Sequence, residues 1–567
     1  MTLQDNKTFD AIVVGSGISG GWAAKELTEK GLTTLVLERG RDVRHVTDYT
    51  TAMKNPWDFQ YRGRVSIEQK NRYSDNPSRG ERFGNEAAND FFLNEKENPY
   101  VEERPFRWTR AYIKGGRSLL WGRQTYRFNE DDFQANAREG VGIDWPIRYQ
   151  DLAPWYSYVE RFAGISGRKE GLAVLPDGEF LPPHDFTCVE EHFKKEVGSK
   201  MGRPVTIGRV AHLTQPTEEH LALGRAQCQA RNLCERGCPY GAYFSSQAAT
   251  LPAAQLTNRL TLLTDKIVSE IIYDPATGRA TGVRTIDQNT GEVKDYFAKI
   301  IFLNAGSIAT TALMLHSTSS RFPAGFGNDS GELGHNLMDH HLGAGAGGRV
   351  EGFTDKYYFG RRPNGIYIPR YRNWGQDKRD YLRGFGYQGW SSRAGWGRGI
   401  GMEGFGVTLK EQITEPGSWS MSMGGFGEIL PRHENRMYLH PTKKDRWGLP
   451  LVVFDAEISD NEHKMREDMA NDAAEMLEAA GFKDVGAYNN SYALGNGIHE
   501  MGTARMGRDP KTSVLNSFNQ VHACKNVFVT DGACMTSSSC VNPSLTYMAL
   551  TARAAAYAVD ELKKGNL

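Results

Sequence analysis

FDAIVVGSGISGGWAAKELTEKGLTTLVLERG, residues 9–40, reads as one complete strand–turn–helix–strand unit. Phe9 to Val14 is a short apolar run of β type, and the glycine-punctuated turn Gly15-Ser-Gly17-Ile-Ser-Gly20 follows it. WAAKELTEK is built from helix formers, Gly31 closes it, and TTLVLE forms the second strand, ending at Glu38. In such a unit the first glycine permits the tight turn, the second lets the backbone approach a pyrophosphate, and the third lets helix and strand pack closely. The helix N-terminus then faces the phosphates. Glu38 lies 21 residues after Gly17, where an acid can bind ribose hydroxyls. Gly15, Gly17, Gly20 and Glu38 are therefore candidate nucleotide-binding residues; an ordinary glycine-rich turn in a sheet is the plainer alternative.

Around this unit the chain is long, 567 residues, and two intimately built domains are expected. Lys+Arg and Asp+Glu are both 68, a balance that argues against nucleic acid as the main partner. No apolar run approaches the roughly 18 residues of a membrane span. The opening MTLQDNKTFD lacks the basic start and apolar core of a secretory signal, so the chain is not expected to export itself, while export beside a signal-bearing partner stays open.

A second signal is AQCQARNLCERGCPYGAY, residues 226–243, in which Cys228, Cys234 and Cys238 have the spacing C-x5-C-x3-C and Pro239 follows. Seven cysteines in all, three of them within eleven residues, fit a metal site better than a disulfide framework. Thiolates are the usual ligands of iron–sulfur clusters, and three suit a cluster of three irons. A four-iron cluster would want a fourth ligand, with Cys188 a candidate. Zinc favours short C-x2-C pairs, and three unconnected structural cysteines are the simplest alternative.

Residues 46–104 are polar and irregular and read as a surface or partner-contacting excursion. A turn followed by a helix is expected over 140–164, a hairpin-rich unit running into a buried strand over 259–304, and antiparallel sheet through about 340–455. Residues 461–481 form an amphipathic helix with Met465, Met469, Met476 and Leu477 on its core face and Gly481 as its stop; this stripe reads as core, not as a cofactor pocket. Residues 525–535 give a strand ending in Asp531-Gly532, and a terminal helix follows.

Taken in order, GSGISG (15–20), GGRSLLWG (115–122), NAGSIATTALML (304–315), LGHNLMDHH (333–341), IHEMGTARMG (498–507) and TDGACMTSSSCVNPSLTYMALTARAA (530–555) resemble the glucose–methanol–choline family of FAD oxidoreductases. With the cysteine triplet the chain resembles the catalytic subunits of bacterial cytochrome-linked sugar dehydrogenases, where the triplet implies a 3Fe–4S cluster. The implied fold is α/β (α+β). A Rossmann-like FAD-binding domain (1–45, 105–135, 225–340 and 495–567, with the cysteine loop at 228–239) is interleaved with a substrate domain on an antiparallel sheet (140–224 and 341–494). The resemblance also implies a small assembly and export subunit, a c-type cytochrome acceptor, membrane contact only through a partner, and a periplasmic location, with the cytoplasm as the alternative.

The site residues follow from the same resemblance. The turn at 15–20 and Glu38 would hold the ADP half of FAD, Asp531 and Gly532 would add a second contact, and Gly115, Gly116 and Ser118 would face the pyrophosphate or isoalloxazine. Many relatives have a His before the Trp of the 115–122 segment, and in some a nearby His links covalently to the flavin; here Leu120 stands before Trp121, so FAD is expected without a covalent bond. His499 is the expected general base, because oxidising an alcohol requires a group that takes the hydroxyl proton near neutral pH. Asn542 is its expected partner, donating a hydrogen bond to the substrate oxygen and also lying beside the cofactor. His340 and His341 read as structural, Cys534 and Cys540 as packed, and Tyr, Trp and Arg of 340–430 as pocket lining. The expected reaction is oxidation of a sugar hydroxyl, preferably C3 of a glucoside, with the cluster relaying electrons. Glucose C1, polyol or gluconate oxidation, an oxygen-using oxidase and a non-catalytic electron-transfer subunit are the competing readings.

Overall fold

A computed structural model describes residues 8–68, 86, 89–357 and 365–567. The first residues, the middle of the expected excursion (69–85 and 87–88) and 358–364 lie outside the described residues. The strand Thr8–Val14 lies at the centre of an eight-stranded sheet, parallel to Thr34–Leu37 on one side and to Val293–Leu303 on the other. Leu260–Leu263 extends one edge and Cys524–Val529 the other, both in parallel register. Strand residues alternate between two faces. Ile12, Val14, Leu35, Leu37, Ile301 and Leu303 enter one core. Ala11, Val13, Val36, Ile300 and Phe302 enter the other, against Ala23, Ala24 and Leu27 of the helix Ile18–Glu29 and the alanine-rich face of the terminal helix Ser544–Lys563. Cover on both faces explains why these strands read as continuous apolar runs. The expected hairpin-rich unit is the antiparallel meander Lys266–Asp274, Arg279–Asp287 and Val293–Leu303.

The second sheet has seven strands and is antiparallel, in the order Lys483–Asn489, Ala344–Val350, Trp419–Glu428, Phe385–Arg393, Ile366–Ile368, Thr206–Ile207, with His340–His341 beside Trp419–Glu428. The helix Asp460–Ala479 packs on it through Met465, Met469, Met476 and Leu477, all fully buried. A Cβ on Gly425 would stand 2.1 Å from Met469 Sδ, so helix and sheet meet at van der Waals distance there. Gly481, at φ +82°, ends the helix region.

Three elements differ from the sequence expectation. Val101–Glu102, at the end of the supposed excursion, pairs in parallel with Pro450–Asp455, which also pairs with Arg436–Lys444 in a third, three-stranded sheet. Gly406–Thr414 is helical within a region read as sheet. Cys188–Met201 is a further helix, capped by Thr187, whose side chain accepts from the Glu190 N–H. Among the described residues no helix is long and apolar enough to cross a membrane.

Candidate active site

Four parallel strands end at one crevice. Gly15 follows Val14, Glu38 follows Leu37, Asn304 follows Leu303, and Asp531 lies just beyond Val529; all four residues line a single cavity of about 510 Å³. Strand order runs outward in both directions from Thr8–Val14, and ligands of open parallel sheets bind at such a switch point. The volume falls within the roughly 300–1,000 Å³ of ligand sites.

The turn at 15–20 is tight enough to demand glycine. Gly15 has φ +93°, and a Cβ on Gly20 would lie 2.0 Å from the Gly15 carbonyl oxygen. A Cβ on Gly17 would meet nothing within 4 Å, because this residue faces the cavity. Glu38 ties the turn down: its Oε2 accepts from Ser16 N–H (3.0 Å) and Ser16 Oγ–H (2.6 Å), and its Oε1 accepts from Gly40 N–H (2.7 Å). Burial pushes its carboxyl above the usual range despite these bonds. The 115–118 segment packs on this turn. Gly115 N–H donates to Ser16 Oγ, and Ser118 Oγ–H donates to the Gly115 carbonyl. Gly116 and Ser118 line the cavity, whereas Gly115 lies behind it with its Cβ position filled by Gln247.

Asp531 organises the opposite wall. Its Oδ2 accepts from Gly306 N–H and Thr310 Oγ–H, its Oδ1 from Ala533 N–H, and burial pushes its carboxyl up to about 6. Buried polar atoms at this cavity with no hydrogen-bond partner among the described residues include Ser19 Oγ, Asn304 Oδ1 and Tyr547 Oη. A glycine-only turn, a helix N-terminus and unsatisfied buried donors and acceptors suit an extended, phosphate-bearing cofactor.

His499 and Asn542 open into the same cavity. His499 follows Ile498, a β-branched residue at φ 61°, a conformation that costs about 1–3 kcal/mol and persists only where neighbours enforce it. Asp339 does the enforcing. Its Oδ1 accepts from the backbone N–H of His340 (2.8 Å) and His499 (2.9 Å), and its Oδ2 from Gly497 N–H (2.8 Å) and Tyr492 Oη–H (3.0 Å). His340 Nδ1 lies 2.9 Å from His499 Nδ1, and His340 Nε2 lies 2.8 Å from the Ser539 carbonyl oxygen. Gln388 Nε2–H donates to Asn542 Oδ1 at 2.7 Å, which turns the Asn542 amide nitrogen away from Gln388. Arg117, on the cavity wall, holds Glu500 through two bonds of 3.0 and 2.6 Å.

His340 thus belongs to the site, in contrast to the structural role read from sequence. His341, one residue on, points to the other face of its strand, where its Nε2 meets Met465 Sδ, and it is structural. Among the described residues, none of 340–430 lines the cavity; aromatic lining comes from Phe92, Trp108, Tyr112, Trp121 and Tyr547 instead. Asp339, Gln388 and Tyr547 were not singled out in the sequence. Asp339 had a signal, its place in NLMDHH; Gln388 had none.

Cys228, Cys234 and Cys238 share one loop; burial pushes the Cys228 and Cys234 thiols up, and the neighbouring cysteines of the loop add to this. Cys234 and Cys238 rest against Val43, Tyr49 and Tyr243. Among the described residues, however, no three His, Cys, Asp or Glu side chains converge to hold a metal ion, so the geometry lends the expected cluster no support. Cys188 packs with the second sheet's core, not with this loop. Cys534 and Cys540 are buried, and burial pushes the Cys540 thiol up to about 12, in keeping with packed, unreactive groups.

Two family models, both described as GMC oxidoreductase, match residues 9–342 and 431–551. The chain is 26% identical to the fructose dehydrogenase large subunit of Gluconobacter japonicus, over 99% of this chain and 100% of that protein. It is 28% identical to 2-methyl-1,2-propanediol dehydrogenase of Mycolicibacterium austroafricanum, over 98% and 96%. Among solved structures, formate oxidase of Aspergillus oryzae RIB40 superposes with a TM-score of 0.62 at 15% identity, covering 100% of both chains, and shares the fold.

Proposed function

The chain belongs to the GMC oxidoreductase family, FAD-dependent enzymes acting on CH–OH groups, and on that premise we propose that it is a dehydrogenase of sugar hydroxyls, with C3 of a glucoside as the preferred position. The observation that carries this reading is the meeting of His499 and Asn542 in the cavity that the glycine turn, Glu38 and Asp531 also line. Full-length similarity to a fructose dehydrogenase large subunit supports the sugar class.

The residues divide the work by chemistry. Gly15, Gly17, Glu38, Gly116, Ser118, Asp531 and Gly532 would hold FAD, which would supply a hydride acceptor when bound. The Asn542 amide N–H donates to the substrate hydroxyl oxygen, because Gln388 occupies its Oδ1. His499 takes the hydroxyl proton. Asp339 fixes the backbone that presents His499, and proton transfer from a positioned base contributes about 10²–10⁴ in rate.

A c-type cytochrome acceptor, a small assembly and export subunit and a periplasmic location belong to this reading through the family resemblance. The 3Fe–4S cluster on Cys228, Cys234 and Cys238 rests on spacing and resemblance alone, and no step above depends on it. The test is anaerobic visible spectroscopy of the purified enzyme with glucose and methyl glucoside added separately. Bleaching of the flavin by methyl glucoside, whose C1 is blocked, supports attack away from C1. Bleaching by glucose alone moves the assignment to C1, and no bleaching by any sugar ends the sugar reading.

A further inference from the structure

Hydrogen-bond directions in the site define where one proton sits. The Ser539 carbonyl can only accept, so His340 Nε2, 2.8 Å away, carries a hydrogen. Burial depresses the His340 imidazole to about 4, which keeps it neutral at physiological pH, with a single N–H. Its Nδ1 is therefore a lone pair. That lone pair lies 2.9 Å from His499 Nδ1, and two lone pairs do not bond, so His499 Nδ1 carries the hydrogen of this contact.

We propose that His340 is a positioning residue that holds His499 as its Nδ1–H tautomer and so leaves Nε2 as the nitrogen that accepts the substrate proton. This rests on the reading of His499 as the base. When the hydroxyl proton moves to Nε2, the His499 imidazolium keeps its Nδ1–H, and the bond to His340 becomes charge-assisted and stronger. His340 therefore both selects the tautomer and raises the basicity of His499. The surrounding titratable groups do not replace this contact. Asp339 is bound to backbone N–H groups and to Tyr492, Glu500 is paired with Arg117, and the Tyr547 hydroxyl sits beside Gly532 with Glu500 and Arg117 among its charged neighbours. His341 and Arg466 lie on the reverse side of the strand, Arg466 donating to the Leu342 carbonyl. The Phe426 ring, 6.4 Å from each imidazole, contributes no charge.

The experiment is anaerobic stopped-flow bleaching of the flavin, across pH, by a sugar that reduces the parent enzyme. His340→Leu, His340→Gln and His499→Ala are compared, with flavin content and melting temperature checked for each. His340→Leu should slow the limiting rate about 10- to 100-fold, a part of what a positioned base supplies, and move the acidic limb to lower pH. His340→Gln should restore both, because one amide can donate to Ser539 and accept from His499. A limb and rate unchanged in His340→Leu, with His499→Ala slow, would overturn the positioning role and leave the base standing. An unchanged His499→Ala would remove the base reading itself. Should the leucine variant fail to load flavin, His340→Gln decides alone: parent rate and limb support the proposal, and a slow rate with an unmoved limb overturns it.

Discussion

Replacing Asp339 by Asn removes one acceptor from the most heavily used carboxylate in the site. The parent Oδ2 accepts from Gly497 N–H at 2.8 Å and Tyr492 Oη–H at 3.0 Å. The asparagine oxygen can keep the bonds to His340 and His499, but its NH2 then faces the Gly497 N–H. Tyr492 can turn its hydroxyl wholly to the His340 carbonyl, already 2.7 Å away. The buried Gly497 N–H has no such escape, and an unsatisfied buried donor costs about 1–3 kcal/mol. Ile498 adds to this, since its φ of 61° is held on both sides by Asp339. Without the clamp the turn can relax and shed strain of about 1–3 kcal/mol only by moving His499. A displacement near 1 Å costs about 100-fold in rate. The expected variant loads FAD normally, because Asp339 does not line the cavity, melts at lower temperature by an amount matching about 2 kcal/mol, and bleaches with saturating sugar about 100-fold more slowly. Thermal unfolding and anaerobic stopped-flow absorbance read these out. A variant with parent melting and parent bleaching would refute the idea that Asp339 sets the base.

Gln388→Glu places a carboxylate against Asn542, which should draw the Asn542 amide N–H to itself and away from substrate; the expected result is a KM increase and about a tenfold slower bleaching, given the 1.5–3 kcal/mol of bonds to charged groups, and unchanged kinetics would separate Gln388 from the site. Gly20→Ala sets a methyl group 2.0 Å from the Gly15 oxygen, so the purified variant should carry little or no flavin, and full flavin occupancy would contradict the cradle. Glu428, pushed up from 4.5 to about 7 by burial, binds its proton more tightly folded than unfolded. Its contribution is therefore fully present below pH 4.5 and lost as pH rises through 7, so Glu428→Gln should gain stability relative to the parent between those values, by at most about 3 kcal/mol and read as a rising melting temperature. A relative loss over that window would reverse the sign and sink the argument. Arg383, its partner, keeps Glu139 at 2.8 Å, so the variant should still fold.

What the sequence disclosed was local chemistry. Gly15 and Gly20 are legible because each carries a local constraint, a positive φ at Gly15 and a clash with the Gly15 oxygen at Gly20, and the stripe Met465, Met469, Met476, Leu477 is legible because helical period alone puts it on one face. Contacts across long separations were not. Val101–Glu102 reads as loop because its partner strand among the described residues, Pro450–Asp455, lies some 350 residues away. Gln388 carries no motif, and its meaning exists only where Phe385–Arg393 brings it against Asn542. The cysteine triplet is the converse case: its spacing is plain in the chain, while convergence of three thiols on one centre is a matter of loop conformation that spacing does not determine.

His340 shows why the second histidine of the pair had to be found in three dimensions. In a strand of two residues, adjacent side chains leave by opposite faces, so HH gives one imidazole to Met465 and the other to His499 without any difference in composition. What separates them is backbone contributed by distant parts of the chain. Glu428 pairs with His340 and fixes which face it takes, and the Ser539 carbonyl fixes which nitrogen holds the proton. Ser539, like Ile498, is a non-glycine residue at positive φ, 54° against 61°. Two backbone outliers therefore flank one imidazole pair, one aiming the carbonyl that orders His340 and the other aiming His499. Because the ordering group at 539 is a carbonyl, exchanging that side chain should leave the tautomer intact. Only a shift of the backbone there would release it, which ties the polarity of the base to the packing of the 536–542 segment, not to the identity of the serine.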